Sequence, residues 1–184
     1  MYRKIIQPTP HGSIVVLWNE YETGEKIARI LLSKPTEPAT VKAEKLFPGV
    51  HEFSCSTIDI IASDICDFLD GKPIDFSLDI VDLGSCGQFQ QKVLRAEHAI
   101  PRGRVSSYKA IARHLGSPGR ARAAGNALAT NPFPIIVPCH RAIRSDGSLG
   151  GYQGGLEMKR DLLENEGIRF TNSGCVDCLD FYYD

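Results

Sequence analysis

Residues 107–129 read SYKAIARHLGSPGRARAAGNALA, a pattern typical of two short helices joined by a turn. Ile111 and Leu115 are spaced to share one face of the first helix, and Gly116 permits the turn that follows. Pro118 opens a second helix that is rich in alanine and glycine. Small side chains allow this helix to lie close to a groove or to a neighbouring helix. The segment therefore predicts a helix-turn-helix.

Charge is unevenly distributed around this segment. Residues 1–86 carry 8 Lys/Arg and 13 Asp/Glu, a net of −5, whereas residues 87–184 carry 13 and 9, a net of +4. No acidic residue lies between Glu97 and Asp146. This pattern indicates a polyanionic partner, because a merely solvated face would normally mix both signs. The basic residues of the interval are Arg102, Arg104, Lys109, Arg113, Arg120, Arg122, Arg141 and Arg144.

A cysteine stands between a proline and a histidine in Pro138-Cys139-His140-Arg141. A cysteine near a basic group can ionise below the free-thiol pKa of roughly 8.5, and the thiolate is the nucleophilic form. Neighbouring side chains of an extended segment point to opposite faces, so adjacency alone does not bring His140 to the sulfur. The dipeptide alone is more often structural than catalytic. Its basic surroundings make Cys139 a candidate nucleophile.

The first third of the chain predicts a short antiparallel sheet. Lys4–Gln7, Ser13–Asn19 and Lys26–Ser33 are rich in β-branched residues and are separated by turn formers. Apolar residues recur at helical spacing from Thr57 to Leu69. Residues 76–81 alternate between apolar and polar side chains, which predicts one more strand.

Two further helices are predicted after residue 86, at 89–100 and 156–166. A glycine-rich loop precedes the second of them, but it lacks the Gly-Lys-Ser/Thr ending of a phosphate-binding loop. The change in composition predicts an N-terminal domain over residues 1–86, a second domain over 87–170 and a tail over 171–184.

Six scattered cysteines favour a reducing compartment, and no apolar run is long enough to span a membrane. We therefore expect a cytoplasmic protein, or a nuclear one in a eukaryote, without a membrane partner. Cys175 and Cys178 form a lone CxxC pair, which could be a disulfide, two free thiols or half of a zinc site. A zinc site would need two more ligands from Cys55, Cys86 or His51. We predict no metal.

The motifs, taken in order, resemble those of the O6-alkylguanine-DNA alkyltransferases, also called methylated-DNA-protein-cysteine methyltransferases. The resemblance covers about residues 87–170. It implies an α+β fold, with a small ribonuclease-H-like α/β domain followed by a mainly helical domain whose helix-turn-helix is winged-helix-like. The motifs are the helix-turn-helix, Asn131-Pro132, Pro138-Cys139-His140-Arg141, Gly150-Gly151-Tyr152 and Glu166-Gly167.

This resemblance implies a reaction in which Cys139 takes an alkyl group from the O6 of guanine. His140 would accept the thiol proton through a water, and Glu166 would orient the histidine. Tyr108 would donate a proton toward the departing guanine, and Asn131 would brace the turn. The thioether product is not readily reversed, so each molecule would act once, without a cofactor. The implied walls of the base pocket are Pro134, Val137, Pro138, Tyr152 and Gln153.

The implied partner is double-stranded DNA that contains O6-alkylguanine, bound in the minor groove, largely independently of sequence and by a monomer. The alkylated nucleotide would be flipped out of the stack, and Arg122 would take its place. The residues implied to contact DNA are Tyr108, Arg120, Ala121, Arg122, Ala123, Gly125 and Arg141.

Gln153 stands where the family usually has serine, which leaves the range of alkyl groups open. Three other functions remain possible from the residues. They are lesion binding without transfer, which the presence of Cys139 disfavours, DNA-binding regulation through alkylation of the thiol, and hydrolysis by a cysteine nucleophile.

Overall fold

A computed structural model describes residues 1–177 and 180–184 and divides the chain into two units. The first unit comprises Met1–Ser85 and Pro132–Ile136, and the second comprises Cys86–Asn131 and Val137–Asp184. The first division falls beside the predicted boundary at residue 86. Two features differ from the predicted domains, because residues 132–136 are counted with the N-terminal unit and the described part of the tail is counted with the second.

The first unit is built on a three-stranded antiparallel sheet, in which β1 (Tyr2–Ile6), β2 (Ile14–Tyr21) and β3 (Gly24–Leu32) are neighbours in that order. Two helices follow, α1 (Ala39–Leu46) and α2 (Ser56–Leu69). Alternate β2 residues pack with α1, in a cluster of Val15, Leu17, Leu31, Ala39 and Ala43. The predicted strands and the helix ending at Leu69 are confirmed.

The segment Pro132–Ile136 is attached to this sheet by a main-chain hydrogen bond, which the Ile30 N–H donates to the Pro132 carbonyl at 2.7 Å. The single tryptophan, Trp18, is also part of this unit. Its ring centroid lies 4.9 Å from that of Tyr2 and 5.8 Å from that of Phe53. Both the segment and the aromatic cluster therefore belong to the N-terminal sheet.

The strand predicted over residues 76–81 is wrong. Leu78–Ile80 form a 3-10 helix, and only Val81 makes a β-bridge, with Ile27. The cause is local: Ser77 Oγ accepts a hydrogen bond from the Asp79 N–H at 3.1 Å, which turns the chain at once. The helix α1 was not predicted from the sequence.

The described residues of the second unit form four α-helices and a two-stranded parallel sheet. The helix predictions in this half are confirmed, with ends that differ by a few residues. The elements are α3 (Gln88–His98), β4 (Ser106–Ser107), α4 (Tyr108–His114), α5 (Ala121–Ala129), β5 (Ala142–Ile143) and α6 (Leu156–Asn165). Within the described residues, no helix is long and apolar enough to cross a membrane.

The described part of the C-terminal tail packs on the second unit. Val176 joins a core cluster with Val105, Ile143 and Leu163. The Tyr183 ring stacks on His114 with centroids 3.9 Å apart, and its hydroxyl donates to the Ala96 carbonyl at 2.8 Å. These contacts explain why the tail is not a separate segment. The predicted CxxC pair includes Cys178, which lies outside the described residues.

Candidate active site

Cys139 lies at the start of a 3-10 turn, Cys139–Arg141, which directly precedes β5. Its N–H donates to the Val137 carbonyl at 2.7 Å, and Asn131 Nδ2 donates to the same carbonyl at 3.1 Å. The Cys139 side chain is buried, and burial raises the pKa of the thiol to about 12, although a hydrogen bond with Asn131 acts in the opposite direction. The thiol is thus protonated at neutral pH and needs a base before it can attack.

Such a base follows in the chain, because His140 is completely buried and its Nε2 lies 2.9 Å from Oε1 of Glu166. Burial lowers the pKa of His140, so the ring is neutral at neutral pH. With Nε2–H directed to Glu166, Nδ1 is the nitrogen that carries a lone pair. His140 and Glu166 therefore have the arrangement of a base and the carboxylate that orients it.

Glu166 also binds the next residue of the turn. Arg141 Nε and Nη2 donate to the two carboxylate oxygens at 2.9 and 2.7 Å, and Nη1 donates to the Ile100 carbonyl at 2.6 Å. Burial alone would raise the pKa of Glu166, but hydrogen bonds from His140 and Arg141 bring it to about 2. Arg141 is only 8% exposed. Its place is inside the unit, unlike that of a side chain that reaches a DNA phosphate.

Tyr108 begins α4, whose N-terminus is capped by Ser107 accepting from the Ala110 N–H at 3.0 Å. Its ring packs against Gly125 of α5 and Gly150 of the glycine-rich loop, and a Cβ built on Gly150 would lie 2.8 Å from the phenolic oxygen. Burial raises the pKa of Tyr108 to about 12. The phenol therefore keeps its proton at neutral pH and is available as a hydrogen-bond donor or a general acid.

The loop before α6 brings two more of the predicted residues to this unit. Gln153 Nε2 donates to the Asn131 carbonyl at 2.5 Å, which ties the loop to the end of α5. The Tyr152 ring meets His140 edge-on, with centroids 6.3 Å apart. Its hydroxyl is buried and has no hydrogen-bond partner among the described residues, and burial raises its pKa well above the usual range. A ligand acceptor could satisfy this hydroxyl.

The remaining pocket predictions are placed in different parts of the chain. Val137 and Pro138 are buried directly before Cys139 in the second unit. Pro134 is buried in the segment that is counted with the first unit. The roles of all three as pocket walls stay predictions.

The predicted DNA-contacting residues at α5 differ in exposure. Arg120 and Arg122 are exposed, and the smaller residues Ala121, Ala123 and Gly125 are half-buried. The Arg120 guanidinium sits 5.5 Å from the centre of the Phe89 ring, which supports its position at the start of the helix. Within the described residues, no group of three His, Cys, Asp or Glu side chains could hold a metal ion.

Two charged residues of this unit were missed from the sequence. Glu97 and Lys159 are completely buried on α3 and α6. The helical spacing of each residue could have revealed its burial. Glu97 follows Val93 by four residues and Lys159 precedes Leu162 by three, so each lies on the apolar face of its helix. A charge on the apolar stripe of a helix indicates a buried ionic group.

The second unit thus combines a buried cysteine, a histidine held by a carboxylate, a phenolic acid and a helix pair with exposed arginines. These features are typical of a DNA-binding protein with a candidate cysteine nucleophile. Residues 88–168 match the family described as 6-O-methylguanine DNA methyltransferase, DNA binding domain.

Relatives and solved structures agree with this match. The methylated-DNA–protein-cysteine methyltransferase of Methanothermobacter thermautotrophicus is 44% identical over 133 residues, which cover 70% of this chain and 74% of that protein. The inducible enzyme of Bacillus subtilis is 36% identical over 166 residues, covering 87% and 92%. The crystal structure of Mycobacterium tuberculosis OGT in complex with DNA aligns with a TM-score of 0.73 at 30% identity, covering 90% and 92%. The chain belongs to the methylated-DNA–protein-cysteine methyltransferases, which are DNA-repair enzymes.

Proposed function

We propose that the protein flips O6-alkylguanine out of duplex DNA and transfers the alkyl group irreversibly to its own Cys139. The observation that carries this proposal is the Cys139–Arg141 turn, in which a buried thiol is followed by a neutral histidine fixed by Glu166. A methyltransferase that takes its methyl group from a cofactor needs a site for that cofactor. In the proposed reaction the alkylated base is the donor and the Cys139 thiol is the acceptor.

The proposed transfer needs only Cys139, His140, Tyr108 and one water molecule. His140 takes the thiol proton, through a water, and the Cys139 thiolate attacks the alkyl carbon of the flipped base. The carbon–sulfur bond forms as the carbon–O6 bond breaks, and the electron pair of that bond goes to the guanine. Tyr108 donates its proton toward the leaving base, so that guanine departs neutral, and the proton that His140 took from the thiol then restores Tyr108. The thioether has no route back, so each molecule reacts once.

DNA binding is proposed for α4 and α5, which act as a helix-turn-helix with α5 in the minor groove. The half-buried alanines and Gly125 leave room for close approach, while Arg122 is exposed and can enter the stack in place of the flipped base. Arg120 and other exposed basic residues would contact phosphates without reading sequence. We assign Arg141 a positioning role instead of a phosphate contact, because its guanidinium is used by Glu166 and Ile100.

The N-terminal unit is proposed to be ribonuclease-H-like, on the strength of its antiparallel three-stranded sheet followed by helices. Asn131 is proposed to brace the reactive turn, since its side chain bonds to the Val137 carbonyl and its own carbonyl receives Gln153. The protein is proposed to act as a monomer.

The test is to mix the protein with a duplex that contains one O6-methylguanine and to measure its intact mass, followed by peptide mapping. We expect one added methyl group per protein molecule, located on Cys139 and absent from Cys139→Ser. Tight binding without a change in mass would instead show a lesion-recognition protein, and methylation of another residue would overturn the assignment of Cys139.

A further inference from the structure

The pair of buried charges on α3 and α6 has no part in the reaction described above. Glu97 and Lys159 are both completely buried, and a charged side chain is rarely removed from water unless it is paired and hydrogen-bonded. Each contributes to the electrostatic environment of the other, and both act on the Cys139 thiol. The pair therefore belongs to the surroundings of the nucleophile.

Lys159 joins two parts of the site by hydrogen bonds. Its Nζ donates to the Ala142 carbonyl at 2.6 Å and to the Leu149 carbonyl at 2.5 Å, with the Gly151 carbonyl at 3.5 Å. Ala142 directly follows the reactive turn, and Leu149 and Gly151 flank the glycine that lies against the Tyr108 hydroxyl. The ammonium thus ties the turn that carries the nucleophile to the loop that holds the phenolic acid.

Glu97 faces the same strand residue from another helix. Neither of its carboxylate oxygens makes a hydrogen bond of normal geometry, while the Ala142 backbone, Lys159 and Arg141 all favour its ionised form. Burial raises the pKa of Glu97 to about 8 and lowers that of Lys159 to about 8. Ala142 is therefore held by the buried ammonium of Lys159, and the buried Glu97 carboxyl group acts near it without a hydrogen bond of normal geometry.

The two charges have opposite effects on the nucleophile. The positive charge of Lys159 lowers the pKa of Cys139, whereas a negative charge on Glu97 raises it. Glu97 also raises the pKa of Tyr108. The titratable groups that surround the thiol are Glu97, Lys159, Tyr108, Tyr152 and His140.

We propose that Lys159 is a positioning residue for alkyl transfer, its Nζ holding Ala142 and the Leu149–Gly151 loop, and that the buried Glu97 carboxyl group acts together with it on the charge beside Cys139. The expected effect of the two residues on the rate of methyl uptake rests on the proposed function. Their effect on the ionisation of Cys139 can be measured without DNA.

Three variants separate the two effects: Lys159→Met, Glu97→Leu and the double variant. Lys92→Met, on the exposed side of α3, is the matched control for loss of a lysine. Each protein would be measured for its single-turnover methyl uptake from an O6-methylguanine duplex and for its thermal unfolding. The pH dependence of Cys139 alkylation by iodoacetamide, followed by peptide mapping, is the third readout.

We expect Lys159→Met to slow methyl uptake by about 10- to 100-fold, because the loop and the turn lose their common donor. Its iodoacetamide profile should move to higher pH, and that of Glu97→Leu should move to lower pH. In the double variant neither buried ionisable group remains. Above about pH 8, where the Glu97 carboxyl group of Lys159→Met begins to ionise without its partner, the double variant should therefore unfold at a higher temperature than Lys159→Met, while its methyl uptake stays slow.

Wild-type uptake by the double variant would overturn the positioning role, since the pair would then serve stability alone. Unchanged iodoacetamide profiles in both single variants would overturn the charge effect. If the wild-type protein took no methyl group from DNA, the proposed function would fail by itself, and the iodoacetamide profiles would still decide whether the pair controls the charge at Cys139.

Discussion

A single carboxylate organises the side chains of the reactive turn. Glu166 receives His140 on one oxygen and Arg141 on both, and Arg141 also reaches the Ile100 carbonyl. The arginine supplies the positive charge that keeps the carboxylate ionised while the buried histidine stays neutral. A neutral imidazole is the form that can accept the Cys139 proton.

Replacing Glu166 by glutamine should both slow transfer and destabilise the protein. Glu166→Gln leaves the Arg141 guanidinium buried without a counter-charge, which costs about 3–5 kcal/mol. Urea unfolding measures this loss. Glu164→Gln is the matched control, since Glu164 is exposed and pairs with Arg160 one helical turn away, and it should change the stability by less than about 0.5 kcal/mol. Equal losses in the two variants would contradict the role of the buried pair.

The same carboxylate makes stability depend on acid. The pKa of Glu166 is about 2 in the folded protein against an ordinary 4.5, so its contribution is complete above pH 4.5 and is lost as the pH falls toward 2. We expect the unfolding free energy of the wild-type protein to fall through this range more steeply than that of Glu166→Gln. Parallel curves would show that other groups carry the acid sensitivity.

At the scale of the elements, the glycine-rich loop contacts α4 where Gly150 lies against Tyr108. Gly150 has φ +68°, and a Cβ there would lie 2.8 Å from the Tyr108 phenolic oxygen. Gly150→Ala should therefore displace the phenol and reduce the transfer rate by about 10- to 100-fold. Gly151→Ala is the control, because nothing lies within 4 Å of its Cβ position and its φ is not positive. Single-turnover kinetics measure the transfer rates of the two variants. Equal rates for Gly150→Ala and Gly151→Ala would contradict the importance of the close contact.

The exposed face of α5 makes a second prediction at this scale. Arg122→Ala should reduce the transfer rate by about 10-fold or more, because the side chain proposed to fill the vacated stack is lost. Arg95→Ala removes the same charge from the exposed side of α3 and should have little effect at physiological salt. The comparison uses a methylated duplex and a free methylated base. A defect of Arg122→Ala that is equal with both substrates would exclude a role in flipping.

Elements with a clear period were predictable from the sequence, and those fixed by tertiary contacts were not. The three N-terminal strands and the helices at α2 to α6 follow apolar patterns with turn residues at their ends. The apparent strand at 76–81 fails because Ser77 caps a turn, which alternation does not reveal. In the site, the motif residues were predictable, but the internal role of Arg141 depends on Glu166 and Ile100, which are distant in the chain.

At the scale of the whole molecule, we expect methylation of Cys139 to lower the stability of the folded protein. The Cys139 side chain is 5% exposed, so a methyl group on its sulfur enters a packed region. Overpacking of this kind costs about 1–3 kcal/mol. Thermal unfolding of the protein, purified before and after reaction with a methylated duplex, tests this. Cys139→Ser carried through the same treatment should not shift, and an unchanged melting temperature in the methylated protein would contradict the expectation.

Trp18 gives the N-terminal unit an optical signal of its own. It is the single tryptophan of the chain, and its indole N–H donates to the Phe53 carbonyl at 3.3 Å within the aromatic cluster of the sheet. Indole emission therefore reports the loss of that cluster, while Cys139 lies in the other unit. The protein carries a natural fluorophore in one unit and the proposed alkyl acceptor in the other, so indole fluorescence and methyl uptake can be followed in one sample without an added dye.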